Sequence, residues 1–170
     1  KGILMAEKRL RILIAGHDTF HNKGCQALVF TTTEMMRQAF PNASFKIFSW
    51  EPDYDEPIFK EFYPEVECNF IQHRFKTGEF SLRNRLWLFL CGTLKLKTDR
   101  ILQVSKSFYQ AIRNSDLVVI SGGDILADYG DASIKHYFFQ IAVALALHKP
   151  VFVFAQSISR YKSNKILDLK

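Results

Sequence analysis

Several features that would assign a chemistry at once are missing from this chain. Only three cysteines occur in 170 residues, Cys25, Cys68 and Cys91, and none has the CxxC spacing of a zinc or redox motif. We therefore expect no disulfide framework, and we interpret each cysteine as a small buried hydrophobic residue in a reducing compartment.

No apolar run reaches the roughly 20 residues that span a bilayer. Arg9 and Arg11 interrupt the segment in which a signal peptide would need its apolar core.

Cofactor motifs are missing too. The turn at residues 16–24, GHDTFHNKG, contains neither GxGxxG nor GK[ST], so a dinucleotide fingerprint and a P-loop are excluded. His17 and His21 are four residues apart, but their loop has no helical pattern and no third ligand is evident. We predict neither a metal site nor an organic cofactor.

The composition is that of a folded globular domain. Hydrophobic residues make up 48% of the chain and charged residues 24%, which is enough for residues 1–170 to form one domain with a buried core. The net charge of +6 is explained most simply by a solvated basic surface, so we predict no nucleic-acid partner. No internal repeat or low-complexity tract is present, and a cytoplasmic location fits best.

Strand and helix patterns alternate along the chain. The strands are continuous apolar runs, which indicates burial on both faces and an α/β, Rossmann-like parallel sheet with helices on both sides. Residues 51–100 form an irregular or helical insertion, in which 51–79 reads as a loop with short elements. Strands are predicted at residues 10–15, 44–50, 116–121 and 151–155, with a weaker one at 68–72, and helices at 25–40, 80–96, 99–113 and 132–148. The predicted core face of the first helix comprises Leu28, Thr32, Met35, Met36 and Ala39, and Asp99 is the predicted cap of the third.

Ligands of such sheets bind beyond the carboxyl ends of the strands. Three segments are predicted to meet there, at residues 17–24, 121–128 and 156–159. In the first, Gly24 permits close backbone approach and Lys23 adds a positive charge near the helix N-terminus. The alternative is an ordinary turn in which Asn22 caps the helix.

The second segment raises the same two alternatives. Gly122 and Gly123 let the chain leave the sheet with little bulk, and Asp124 and Asp128 follow. Each aspartate either stabilises its own turn or acts on a ligand, as a general base or by binding a sugar hydroxyl.

The histidines and one helix also have two interpretations. Either His17 or His21 can contact an anionic or sugar ligand, whereas the remaining histidines, His73, His136 and His148, are predicted at the surface or at helix ends.

In residues 80–97, basic residues flank an apolar patch that contains Trp87 and Phe89. This segment either packs inside the domain or contacts a membrane surface or a partner.

Taken together, the motifs resemble those of the polysaccharide pyruvyl transferase family. The resemblance lies in three segments, in order: GHDTFHNKGCQAL at 16–28, DLVVISGGDILAD at 116–128, and KPVFVFAQSI at 149–158. Three departures are visible: Cys25-Gln26 replaces an acidic pair, Ser121 replaces the first of three glycines, and the turn after Ile158 lacks Gly-Pro.

The resemblance implies one half of a GT-B-like, two-domain enzyme of exopolysaccharide biosynthesis. Such an enzyme transfers a pyruvyl group from phosphoenolpyruvate to a sugar as a ketal. It implies that this chain is the N-terminal, acceptor-side half and that phosphoenolpyruvate is held mainly by the other half. The predicted catalytic residues are Asp124 and Asp128, and the predicted substrate-binding residues are His17, His21, Asn22, Lys23, Gly24, Gln26, Gly122, Gly123 and Gln156.

Two other functions stay open at this point. A GT-B glycosyltransferase that uses a nucleotide-sugar would have the same fold. The loss of both carboxylates at Cys25-Gln26 also suits a non-catalytic binding domain, which could lie at the inner face of the membrane through residues 80–97.

Overall fold

A single parallel sheet organises the protein in the computed structural model, which describes residues 9–73, 81–95, 103–123, 126 and 131–156, with backbone only at 131–134. Its spatial strand order is β3-β2-β1-β4-β5, and every neighbouring pair is parallel. The strands are β1 (Arg11–Ala15), β2 (Ser44–Ser49), β3 (Cys68–Gln72), β4 (Leu117–Ser121) and β5 (Val151–Phe154). The helices are α1 (Lys23–Ala39), α2 (Pro52–Phe62), α3 (Leu82–Gly92), α4 (Lys106–Arg113) and α5 (Asp131–Ala146).

Helices cover both faces of this sheet. Alternate residues of β1 belong to different cores, because successive side chains of a strand point to opposite faces. Ile12 and Ile14 pack with α1 and α2 in one core. Leu13 lies in the other core with Trp87 of α3 and residues of α4 and α5. The predicted α/β, Rossmann-like sheet with helices on both faces is therefore confirmed.

The strand predictions agree closely with the structure. The weakest of them, at 68–72, is β3 with the same bounds. The prediction of a loop with short elements was wrong for residues 52–62, which form the 11-residue helix α2. Two prolines make this helix difficult to predict from the sequence. Pro52 lies at its first turn, where a missing N–H is harmless, and burial of Asp55 and Phe59 holds the turn around Pro57.

Two helix details also differ from prediction. The buried face of α1 contains Val29, Thr32, Thr33 and Met36, whereas Met35 is exposed. Thr33 tolerates burial because its hydroxyl donates to the Val29 carbonyl at 2.8 Å. Helix α4 starts after Ser105, whose hydroxyl accepts a hydrogen bond from the Phe108 N–H at 3.3 Å. The predicted cap Asp99 lies outside the described residues.

The central pairing of the sheet joins distant parts of the chain. Ile12 of β1 is in register with Leu117 of β4. At the amino end of this pair, the Arg11 guanidinium donates to both Asp116 carboxylate oxygens at 2.9 Å, across 105 residues of sequence. This bidentate contact fixes the register of β1 against β4.

A buried carboxylate fixes the opposite end of β1. Asp55 of α2 is fully buried. One carboxylate oxygen accepts from the Phe20 N–H at 2.8 Å and the Thr19 hydroxyl at 3.1 Å, and the other accepts from the Ser49 hydroxyl at 2.6 Å. Because a buried charge is tolerated only when it is hydrogen-bonded, these three donors make Asp55 stable inside the domain. They also hold the loop after β1 against the end of β2.

We expect Asp55→Ala to lower the free energy of unfolding by about 3 kcal/mol or more, because it leaves three donors without their acceptor. Urea denaturation followed by circular dichroism measures this loss. The matched control is Asp53→Ala, an exposed position two residues away on the same helix, for which we expect a change within about 0.5 kcal/mol. Equal effects of the two substitutions would contradict the anchoring role.

Candidate functional site

The strand order places a crevice beyond β1 and β4. Strands β1 and β4 are neighbours, but the strand that follows each of them in the chain lies on the opposite side of this pair: β2 beside β1 and β5 beside β4. Ligands of open α/β sheets bind at such a switch point. The loop after β1 starts at Gly16, whose φ of 93° favours glycine. Gly122 and Gly123 follow β4, and Gln156 follows β5. As predicted, the three loops therefore leave the same edge of the sheet, although Asp124, Asp128 and residues 157–159 lie outside the described residues.

Asp18 joins the loop after β1 to two other elements. Its carbonyl accepts from the Trp50 N–H at 2.8 Å, and its carboxylate accepts from the Tyr137 hydroxyl at 2.5 Å. Tyr137 belongs to α5, on the other side of the sheet. The two residues therefore bring a carboxylate and a phenol together at the crevice.

Asn22 and Gly24 build the start of α1. The Asn22 side-chain oxygen accepts from the Gly24 N–H at 2.9 Å, which is the capping alternative considered for this residue. A Cβ at position 24 would lie 3.1 Å from that oxygen, so glycine suits the cap.

Three other predicted binding residues, His21, Lys23 and Gln26, make side-chain contacts that a ligand can replace. The His21 ring stacks on Tyr54 with centroids 3.8 Å apart, and its Nε2 lies 3.1 Å from the Glu51 carboxylate. The Lys23 ammonium donates to the Gln26 side-chain oxygen at 2.9 Å. His21 and Lys23 are exposed. Because both contacts are open to solvent, a polar ligand can replace them at little cost.

His17 differs from every other polar residue of this loop. It is only 3% exposed, and neither ring nitrogen has a hydrogen-bond partner among the described residues. Burial lowers the pKa of His17 to about 3, so the imidazole is neutral near pH 7. A neutral imidazole has one donor and one acceptor. Because buried polar atoms are normally paired, His17 stands out in this loop as a side chain whose donor and acceptor are unused among the described residues.

The end of β4 is fixed through α1. The Ser121 and Thr32 hydroxyls are both fully buried and lie 2.6 Å apart. A Cβ on Gly123 would touch Leu28 at an ordinary 3.8 Å, which places the glycine turn against α1. The Gln156 amide donates to the Phe154 carbonyl at 3.3 Å, and its buried side-chain oxygen has no partner among the described residues.

The prediction of a surface position was wrong for His136. It is 1% exposed, stacks on His73 with centroids 4.9 Å apart, and its Nε2 lies 2.9 Å from the Gln140 amide nitrogen. The cause is that α5 packs against α3 and α4, so the side of the helix that carries His136 lies inside the domain. By contrast, His148 is exposed just after α5, as predicted.

Sequence analysis gave no role to Asp18, Asp55 or Tyr137. Asp18 could have been found, since it follows a predicted central strand by three residues. Asp55 and Tyr137 have no local signal, because the loop donors to Asp55 lie 35 and 36 residues away and the partner of Tyr137 lies 119 residues away. Within the ranges that the structure describes, no group of three or more His, Cys, Asp or Glu side chains is arranged to hold a metal ion. No helix in that part of the chain is long and apolar enough to cross a membrane.

The five-stranded parallel sheet with helices on both faces defines a Rossmann-like α/β protein. The family model for polysaccharide pyruvyl transferase matches residues 22–169. The chain therefore belongs to the polysaccharide pyruvyl transferase family, as its motifs suggested. Comparison with curated proteins and with solved structures gave no match.

The buried His17 gives a prediction for how stability depends on pH. Its folded pKa of about 3 lies below its ordinary value of 6.5, so the unfolded chain binds more protons between these limits. Its stabilising contribution is complete above about pH 6.5 and is lost as the pH falls toward 3. We expect His17→Phe to reduce the loss of unfolding free energy between about pH 7.5 and 5 by about 2 kcal/mol.

Urea denaturation at the two pH values measures this difference. His148→Asn, a surface change after α5, is the control and should keep the parent pH dependence. An unchanged dependence in His17→Phe would show that His17 is not held neutral by the fold.

Proposed function

We propose that this chain is the acceptor-side half of a GT-B-like enzyme that transfers a pyruvyl group from phosphoenolpyruvate to a sugar of a cell-surface polysaccharide. The family match over residues 22–169 carries this proposal. The assignment of residues 1–170 to one N-terminal domain, with 51–100 as an insertion, is part of it. The resulting product is a ketal of the acceptor glycan.

Ketal formation defines what the site must do. Two sugar oxygens become bonded to C2 of the pyruvyl group, and the bond from C2 to the phosphate oxygen breaks. One hydroxyl proton is transferred to the methylene carbon, which becomes a methyl group. The other is transferred to the released phosphate. The enzyme therefore needs groups that orient two hydroxyls and move two protons.

The described crevice suits the sugar better than the donor. Phosphoenolpyruvate carries a phosphate and a carboxylate, and anions of this kind are held by several cationic groups. Among the described residues of the three loops, Lys23 is the only lysine or arginine. The other polar side chains described there are imidazole, hydroxyl, amide and carboxylate groups, which match hydroxyls. We therefore place the donor mainly in a second half.

Specific roles follow for the predicted site residues. His17 would bind one acceptor hydroxyl, since its buried nitrogens have no partner among the described residues. His21 would exchange its contact with Glu51 for sugar or donor oxygens, and Lys23 and Gln26 would do the same with their mutual contact. Asn22 and Gly24 would shape the loop after β1, and Gly122 and Gly123 would leave space beside that loop. Gln156 would form the wall of the crevice next to β5. Asp124 and Asp128 would accept the hydroxyl protons.

Calorimetry with phosphoenolpyruvate tests the division between the halves. We expect binding to the whole two-domain protein and none to the 170-residue chain alone. Binding to the isolated chain would overturn our placement of the donor. Absence of binding to both forms would overturn the pyruvyl-donor proposal, and protection of the whole protein by a nucleotide-sugar would then favour the glycosyltransferase alternative.

Substitution of the predicted catalytic pair tests the chemistry. We expect Asp124→Asn or Asp128→Asn to lower phosphate release by the whole protein, with acceptor present, about 100-fold or more if that residue moves a proton. Asp53→Asn, on the exposed side of α2, is the matched control and should keep the parent rate. Parent activity in both crevice variants would remove these aspartates from the mechanism.

A further inference from the structure

Helix α3 has a buried face and an exposed apolar face. Trp87 is fully buried and Cys91 nearly so, which corrects the alternative in which Trp87 itself contacts a membrane. On the outer face, Leu82 is 83% exposed, Leu86 48% and Phe89 55%. At about 100° per residue these three side chains fall within an arc of about 60°, which we call the α3 stripe.

Positive charge borders the α3 stripe on both sides. Arg83 and Arg85 are exposed, and the same helical geometry places them on opposite flanks of the stripe. Neither forms an ion pair within the described residues. The helix, LRNRLWLFLCG, contains no acidic residue. A third cation, Lys95, is exposed just beyond the helix.

The domain holds this helix in one orientation. Asn84 is fully buried, accepts from the Gln103 N–H at 2.7 Å and donates to the Gln103 carbonyl at 3.4 Å. The end of α3 lies against α5, since a Cβ at Gly92 would be in ordinary contact with the Ala146 backbone at 3.6 Å. Together with the buried Trp87, these contacts keep the stripe directed outward.

We propose that the α3 stripe docks the protein on an anionic phospholipid surface. Leu82, Leu86 and Phe89 would enter the boundary between headgroups and acyl chains, with the helix lying in the plane of the membrane. Arg83 and Arg85 would contact lipid phosphates beside them, while their methylene stems lie along the apolar layer. Since anionic lipids are concentrated in the cytoplasmic leaflet, this contact would hold the protein at the inner face of the membrane.

The charges favour lipid over a second copy of the chain. Two copies that met through the same stripe would bring their Arg83 and Arg85 side chains together, because a twofold contact pairs identical surfaces. With no acid on α3 to separate them, the like charges would repel. An anionic bilayer instead neutralises both arginines.

Vesicle co-sedimentation tests the proposal with the 170-residue chain. We expect binding to vesicles that contain phosphatidylglycerol, weak binding to pure phosphatidylcholine, and release by salt. The double variant Leu86→Gln/Phe89→Gln should weaken binding about tenfold or more, because it removes exposed apolar groups without opening the core. The matched control is Phe62→Gln, a 61% exposed position on α2 across the sheet, which should bind as the parent does.

Arginine variants measure the electrostatic contribution to vesicle binding. Arg83→Gln/Arg85→Gln should lose about tenfold in binding to the anionic vesicles, and Arg83→Lys/Arg85→Lys should retain it. Circular dichroism and the midpoint of thermal unfolding verify that each variant is folded. A chain that stays in the supernatant with anionic vesicles would overturn the proposal. A dimer in sedimentation velocity that Leu86→Gln/Phe89→Gln dissociates would assign the stripe to self-association instead.

Discussion

The buried Asp55 carboxylate is the contact on which the shape of the crevice depends. Its three donors belong to the loop after β1 and to the last residue of β2, so one side chain joins three elements. Asp55 also lies in the first turn of α2, close to the partial positive charge of the helix N-terminus. The loop is consequently in place before a ligand arrives, and binding need not provide the energy to order it.

Against this rigid background, His17 is the exception. Asp18, Thr19, Phe20, His21 and Asn22 each have a hydrogen-bonding or stacking partner within the protein. Neither ring nitrogen of the preceding His17 has a hydrogen-bond partner among the described residues, which departs from the usual pairing of buried polar groups. His17 lies at the switch between β1 and β4, where this class of fold binds its ligands.

Much of this arrangement was predictable from the sequence, because it depends on local patterns. Continuous apolar runs identify β1, β4 and β5, and the glycines at 16, 122 and 123 mark where the chain leaves β1 and β4. Asn22 likewise identifies the start of α1. The failures have non-local causes: Asp55 depends on donors from two other elements, Tyr137 reaches Asp18 from across the sheet, and α2 forms despite Pro57 because Phe59 is buried. No periodicity analysis of a single segment contains this information.

The position of β1 also has a consequence for how the chain reaches its fold during synthesis. One neighbour, β2, follows it closely, but the other, β4, is separated from it by about a hundred residues, as the Arg11–Asp116 contact shows. Pairing over such a distance is slow because a long loop must be closed first. On the ribosome, one edge of β1 therefore stays unpaired until β4 emerges, and the apolar residues of both strands are then open to wrong partners. The crevice is consequently among the last features of the domain to form.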